Sequence, residues 1–504
     1  MHEVLVVGGG IAGLRAAVAA KRAGASVALV TQSHPARSYS VSVQDGFNAS
    51  NGTEESRQSH VAETLAAGAG VSDPSIVEDV CREAPGLVVE LDRMGAPFNR
   101  QGTVIDRVQL SGAGDARAAY VDDVTGLALT QTLYEQAIGA EVDMRIEWVV
   151  TALVVENGKC EGVVAFDMAT GELETMPAGA VVLATGGPRR AYDPSTSSLQ
   201  CGGAGIAAAY RAGVRLIDME FVQYYPSVLK DRRLALSPLL WARGASTVNG
   251  GVTLSGSPDP SEAATRFPDT LYRVKALAGV DMLKDAAPVA PAMSRLLGGV
   301  AVDANGATSM PGLYAAGECA GTGFHGARGL DGNFLLVSAS SGKRAGTVAA
   351  RAAMQDVGSE PTDAALQKEN AYVSAALGRP GGAPVAALRE ELAALMHEKA
   401  GASRDDKGLR AAQERIRAMR GEAAQLGAGV GTRDYNFGLV QYLELGWLLD
   451  VSETIVASAI ERTESRGVHV RTDHPDQDDA QAGRISVTRG GAGPVTRREA
   501  AAAS

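Results

Sequence analysis

Three glycines near the amino terminus offer the first chemistry this chain can do. Gly8, Gly10 and Gly13 stand in the spacing Gly-x-Gly-x-x-Gly, after the apolar run Val4-Leu5-Val6-Val7 and before an alanine-rich stretch, Leu14 to Arg22. A pyrophosphate needs such a turn. Gly8 permits the tight bend, Gly10 lets the backbone approach the phosphates, and Gly13 lets helix and strand close on each other. The helix start then presents free N–H groups and the positive end of its dipole to an anion. Residues 35–49 form a polar, small-residue loop that is too long for a plain turn and is placed to run along a bound cofactor. Further on, the apolar run Ala180 to Leu183 ends in Ala184-Thr185-Gly186, small residues that let a ligand approach closely.

Positioning these groups takes a βαβ unit: a strand at Val4–Val7, a helix at Leu14–Arg22 closed by Gly24, and a strand at Val27–Val30. Thr31-Gln32 follows, where an NAD site would place an acid for the ribose. Its absence weakens NAD and leaves FAD or another nucleotide open. Helical patterns run over Glu54–Ala67, Ser75–Met94 and Leu127–Ile138. Strands follow over 142–166, with Glu156-Asn157-Gly158 as a hairpin turn. Asp356 to Thr362 reads as a linker. Residues 363–464 read as a helical bundle, with apolar stripes over Leu409–Arg420 and Leu439–Arg462. The composition of residues 480–504, rich in Gly, Arg and Ala, predicts disorder.

The bulk numbers narrow the class. With 504 residues, 45% of them hydrophobic, the chain can build more than one domain. A net charge of −11 argues against a nucleic-acid surface. Cys81, Cys160, Cys201 and Cys319 are scattered without a Cys-x-x-Cys pair, so the chain is expected to hold no iron–sulfur cluster or structural zinc of its own. Thiols kept free suit a reducing compartment. The sequence enters its first strand at once and has no apolar run of membrane-spanning length, so a cytoplasmic protein with neither leader nor membrane insertion is expected.

Longer motifs then carry a resemblance. Asp218 to Ser227, Leu313 to Glu318, His325 to Leu336 and Glu461 to Pro475 appear in this order. From Val4 to about Asp479 the chain resembles the flavoprotein subunits of succinate dehydrogenase and fumarate reductase, and L-aspartate oxidase. The resemblance implies an α/β fold: a Rossmann-like FAD-binding domain, a shortened α+β capping domain and a C-terminal helical domain. The implied division is 1–233 and 298–355 for the FAD-binding domain, 234–297 for the cap and 363–475 for the helical domain.

The resemblance also implies a cofactor site. Gly8, Gly10, Ala12 and Gly13 would hold the FAD pyrophosphate, and Ser38, Ser40, Gln44 and Gly46 would lie along the flavin. Ala184, Thr185 and Gly186 would border the adenosine, Glu318 would meet the ribityl chain, and Asn333 and Leu336 would meet the ring. Tyr39 stands where covalently flavinylated members carry a histidine, so non-covalent FAD is implied.

The substrate motifs depart from the family. Its Gln-Phe-His-Pro-Thr reads Gln223-Tyr224-Tyr225-Pro226-Ser227, replacing a carboxylate-binding histidine with Tyr225. A second histidine is replaced by Ser294, with Arg295 beside it. The clamping arginine stands one place early, at Arg328. The cap is short, and Pro268 takes the slot of the proton-delivering arginine, with Arg266 and Arg273 nearby. Arg328, Arg295, Ser294, Arg266 and Tyr225 are thus the candidate catalytic residues. Each lost charge-assisted bond costs roughly 1.5–3 kcal/mol, so fumarate chemistry at ordinary rates is not expected. Arg328, Arg295, Arg243 and Arg266 together suggest a substrate bearing a carboxylate. The expected function is an FAD-dependent oxidoreductase acting on a small molecule and passing electrons to a partner such as an iron–sulfur subunit, which could hold it at the inner membrane. The alternative is a non-catalytic or electron-relaying FAD subunit of a larger complex.

Overall fold

A computed structural model describes residues 1–499 apart from 197, 199, 256–259, 357–360, 380–382, 430 and 492. Its centre is a parallel sheet. The strand β1, His2–Val7, pairs on one side with β2, Val27–Thr31, and on the other with the long strand Leu173–Leu183. Asp143–Ile146 extends the sheet beyond β2, and Leu313–Ala315 pairs with the far side of the long strand. Buried on both faces, these strands read as unbroken apolar runs. The first half of the long strand turns away to pair antiparallel with Lys159–Asp167, which pairs with Trp148–Glu156 through the expected turn at Asn157-Gly158. The chain returns from β1 to β2 through helix α1, Ile11–Arg22.

A second helix, Asn333–Gln355, lies against α1 with almost no gap. Cβ atoms on Gly342 and Gly346 would collide with the carbonyls of Ala12 and Ala16. Two further predicted helices appear at Glu54–Gly68 and Pro74–Arg93. The Thr53 hydroxyl accepts from Ser56 N at the first, and Asp73 Oδ1 accepts from Ser75 N at the second.

A smaller unit sits over the central one. The strands Val222–Leu229 and Ala287–Leu296 pair antiparallel and continue into Gly251–Thr253 and Ser246–Val248. Short helices at Pro260–Arg266 and Pro268–Ala278 cover them around Leu229, Leu236, Phe267 and Val274.

Helices then run from Ala364 to Glu461, among them Asp406–Ala423 and Phe437–Glu461. The predicted linker falls partly at 357–360, outside the described residues. Behind the last helix lies a buried ionic cluster. Arg462 Nε donates to Glu220 Oε1 at 2.7 Å, both side chains fully buried. His469 accepts at Nδ1 from Arg404, 3.0 Å away, and turns Nε2 to the Arg462 carbonyl at 3.2 Å. Burial, reinforced by the surrounding arginines, holds its pKa well below the usual histidine value, so the ring is neutral. Arg471 donates to the carbonyls of Ala459 and Arg462, groups a helix end leaves unpaired.

One expectation fails here. Disorder is expected over 480–504, but Ile485–Gly490 and Gly493–Arg498 form a hairpin whose first strand pairs with Leu216–Ile217; residues 500–504 lie outside the described residues. Ile485 and Val487 are fully buried, alternating with Ser486 and Thr488. This local period-two pattern outweighs the Gly- and Arg-rich composition.

Candidate active site: two joined clefts

The glycine turn at the end of β1 is as tight as the sequence requires. Gly8 has φ +118°, and a Cβ there would strike the Ala184 carbonyl. A Cβ on Gly13 would strike the carbonyl of Gly8. Gly10 caps α1 without a side-chain hydrogen bond, and Ile11 N donates to Ser40 Oγ at 3.1 Å, tying the 38–42 segment to the helix start.

In front of this turn lies a cleft of about 1150 Å³, open mouth included. Of the predicted cofactor residues, Gly8, Gly10, Ala12, Ser38, Ser40, Ala184, Thr185, Gly186 and Glu318 line it. The Ser38 hydroxyl is buried without a hydrogen-bond partner, an orphaned donor in this cleft. Thr31, Gln32 and residues Trp148 to Val150 also line it.

Other predicted residues stand elsewhere. Gly13 lies behind the cleft, where it sets the approach of α1. Gly46 packs on Ala118, where an added Cβ would come within 2.7 Å of the Ala118 Cβ. Asn333 is fully buried away from the cleft. Its Oδ1 meets His60 Nε2 at 2.8 Å and Asn48 Nδ2 at 2.9 Å, and its Nδ2 donates to Thr64 at 3.1 Å. Leu336 is core. The helix phase explains this: Phe334, Leu335 and Ser338 face the cleft, so the residues at 333 and 336 point away.

Sequence reasoning missed Arg189. Its guanidinium is buried 3.6 Å over the Tyr39 ring, ion-pairs with Glu318 and donates through Nε to the Ser294 carbonyl. Burial works against its charge, and Glu318 more than restores it. Arg189 lies just beyond the small-residue strand end Gly186-Gly187, a position that could have marked it. Glu318 also accepts from Leu296 N at 3.1 Å, so it is held from two sides.

A second cleft, about 430 Å³, opens from the first through Tyr39, Val43, Arg295 and Phe334. It lies between the 38–46 loop and the strand pair Val222–Leu229 and Ala287–Leu296. Tyr225, Ser294, Arg295 and Gln44 of the predicted set line it. Tyr225 donates its hydroxyl proton to the Leu236 carbonyl at 2.8 Å. Arg295 lies 4.4 Å over Phe334, 3.7 Å from Asp45 and 3.9 Å from Glu318.

Two carboxyl groups here had not been singled out. Asp45 and Asp331 both line the cleft. Burial raises the Asp331 pKa to about 7, reinforced by the Asp45 charge and opposed by Arg295 and Arg328. Burial raises Asp45 as well, against the pull of Arg295.

Arg328 and Arg266 line neither cleft. Gln223 clamps the next residue, donating to the Gly329 carbonyl at 3.1 Å and accepting from its N–H at 2.9 Å, and Arg328 is left exposed. Arg266 ends a short helix and meets Asp122 and Glu262 at 3.9 and 3.8 Å. The side chain of Arg243 lies outside the described residues.

Comparison with known proteins agrees with this architecture. A family profile described as "FAD binding domain" matches residues 3–249 and 242–335, and one described as "Fumarate reductase flavoprotein C-term" matches 389–499. A fumarate reductase flavoprotein subunit of Mycobacterium tuberculosis is 34% identical, over 95% of this chain and 93% of its own. A succinate dehydrogenase flavoprotein subunit of Rickettsia bellii is 31% identical, over 95% and 91%. Among solved structures, a point-mutated E. coli quinol fumarate reductase superposes with a TM-score of 0.94 at 26% identity, covering 100% of this chain and 97% of that one.

Proposed function

This chain belongs to the succinate dehydrogenase and fumarate reductase flavoprotein family, and on that basis we propose that it oxidises or reduces a small molecule held in the second cleft, against a flavin in the first. The family and its FAD make it an FAD-dependent oxidoreductase. Bound FAD supplies two-electron chemistry, and the protein supplies binding, orientation and electrostatics. The α1 start and the Gly8–Gly13 turn would hold the pyrophosphate. Tyr39, Ser38, Ser40, Glu318, Phe334 and Leu335 would face the flavin end. Tyr39 makes the attachment non-covalent, so acid precipitation should release all the flavin.

The observation that carries the reading is the join between the clefts. Tyr39, Val43, Arg295 and Phe334 border both, so a molecule in the smaller space is separated from the larger one by no more than these shared side chains. Arg295 is the one predicted arginine that reaches this space, and Asp45 and Glu318 already share it. A dicarboxylate dianion would find no uncommitted cation there, so succinate and fumarate are poor substrates. The expectation of a carboxylate-bearing substrate gives way for the same reason.

Electrons would leave through a partner, for which an iron–sulfur subunit is the family's precedent in the resemblance. No helix among the described residues is long and apolar enough to cross a membrane. We place the protein in the cytoplasm, docked through that partner.

The test is Ala235→Trp, which fills the second cleft. Any compound that bleaches or reoxidises the flavin should lose its rate about 100-fold or more in this variant, with flavin content unchanged. An unaffected rate would refute the reading, and a flavin indifferent to all small molecules would favour the relay alternative.

A further inference from the structure

The hydrogen-bonding capacity of the second cleft is lopsided. The Asp331 carboxylate makes no hydrogen bond or ion pair among the described residues. Gln44, 5% exposed, donates through Nε2 to Thr270 at 3.2 Å and leaves its Oε1 buried without a partner. Most hydroxyl and amide protons around the cleft are already committed: Tyr225 to Leu236 O, Ser237 to Gln44 O, Ser42 to Tyr39 O and Gln223 to Gly329 O. The side-chain donors that remain are the Ser294 hydroxyl, the second Gln223 amide proton, the Tyr39 hydroxyl when Thr196 donates to it, and Arg295, which is divided between Asp45 and Glu318. An occupant of this space must therefore bring protons to give. Facing two carboxyl groups and one shared guanidinium, it must also bring positive charge, because a buried carboxylate left unpaired is costly.

We propose that the second cleft receives a small amine, its ammonium group seated between Asp45 and Asp331 and its carbon chain against Val43, Leu236 and Phe334. An ammonium offers three donors and one positive charge, which the acceptors Asp331, Asp45 and Gln44 Oε1 match. This inference rests on the second cleft being the substrate site. The groups facing Asp331 are Asp45 on the 38–46 loop, Arg295 and Tyr225 on the strand pair, and Arg328 on its own loop. Amine binding needs the Asp331 carboxylate ionised, so it strengthens as pH rises through about 7. An alkylammonium, with a lysine-like pKa of about 10.4, stays charged there.

The experiment titrates the FAD-loaded full chain with butylammonium chloride, succinate or 1-butanol, followed by calorimetry and the flavin difference spectrum. Butylammonium is expected to saturate at pH 8 and to weaken about tenfold at pH 6. Asp331→Asn and Asp45→Asn should each weaken it about tenfold or more, with flavin content retained. Succinate and butanol should give no saturable signal. Succinate binding in place of butylammonium, butylammonium binding that ignores pH, or Asn variants that bind butylammonium as tightly as the parent protein would overturn the proposal. If the variants do not fold, the pH series on the native sequence decides alone. Ala235→Trp separates the two readings. Butylammonium binding that survives it places the occupant elsewhere and defeats the substrate-site reading. Succinate binding that it abolishes defeats only the amine.

Discussion

The two clefts are built from different materials. The larger is framed by backbone and small residues, the glycine turn after β1, the Ala184–Gly186 strand end and the first turns of two helices, with side chains such as Tyr39, Arg189 and Glu318 added to that frame. The smaller is made of side-chain functional groups: two aspartates, an arginine, two tyrosines and two glutamines. A backbone-built site needs only that nothing intrudes, so it can persist while much of the sequence around it changes. A site made of side chains is rewritten by single substitutions. On this contrast the chain keeps the family's FAD-binding architecture while Tyr225 and Ser294, in place of two family histidines, line its smaller cleft.

The largest expected effect strikes the backbone-built side. Gly13→Val drives a side chain into the Gly8 carbonyl, and the purified protein should carry essentially no flavin by its absorbance near 450 nm. Flavin content near that of the parent protein would break the contrast. Next comes the rewritten cleft: reoxidation of the reduced flavin by fumarate should run about 10²–10⁴-fold slower than in a family member with its proton donor in place, by anaerobic stopped flow. A rate within tenfold would show that the lost histidines and arginine are replaced by groups other than those lining this cleft.

A smaller effect concerns Asp331. An acid whose folded pKa is raised favours the protonated folded state. Its contribution is fully present below the unfolded value of about 4 and is lost as pH rises to about 7. Asp331→Asn should therefore stabilise the unliganded protein at pH 8 by about 1–3 kcal/mol and leave it unchanged near pH 4, by denaturant unfolding. The reverse pH order would mean that the carboxylate is paired. The smallest effects belong to Arg328→Ala and Arg266→Ala. Both residues lie outside the clefts, and each variant should stay within about 0.5 kcal/mol of the parent stability, with flavin binding unaltered.

What could be read from the sequence follows the same division. The β1–α1–β2 unit and the helices at Glu54, Pro74, Asp406 and Phe437 were legible because periodicity and caps are local. Gly8 and Ala184 were legible because a close backbone approach leaves small residues in its place. Leu336 and Asn333 were misplaced because a motif fixes a helix start but not which of adjacent residues turns to the cleft. Arg328 and Arg266 were misplaced because sequence register says nothing of the Gln223 clamp on Gly329. Asp45 and Asp331, 286 positions apart in sequence, share a cleft only through tertiary contact.

The seam between α1 and the helix Asn333–Gln355 has a mechanical consequence. Both helices aim their first turns at the larger cleft, one at its glycine turn and the other, through Phe334 and Leu335, at its far end. With Gly342 and Gly346 laid directly on the Ala12 and Ala16 carbonyls, no side chain lies between them to act as a hinge. The pair behaves as a rigid calliper, whose jaws are set to one cofactor length by backbone resting on backbone.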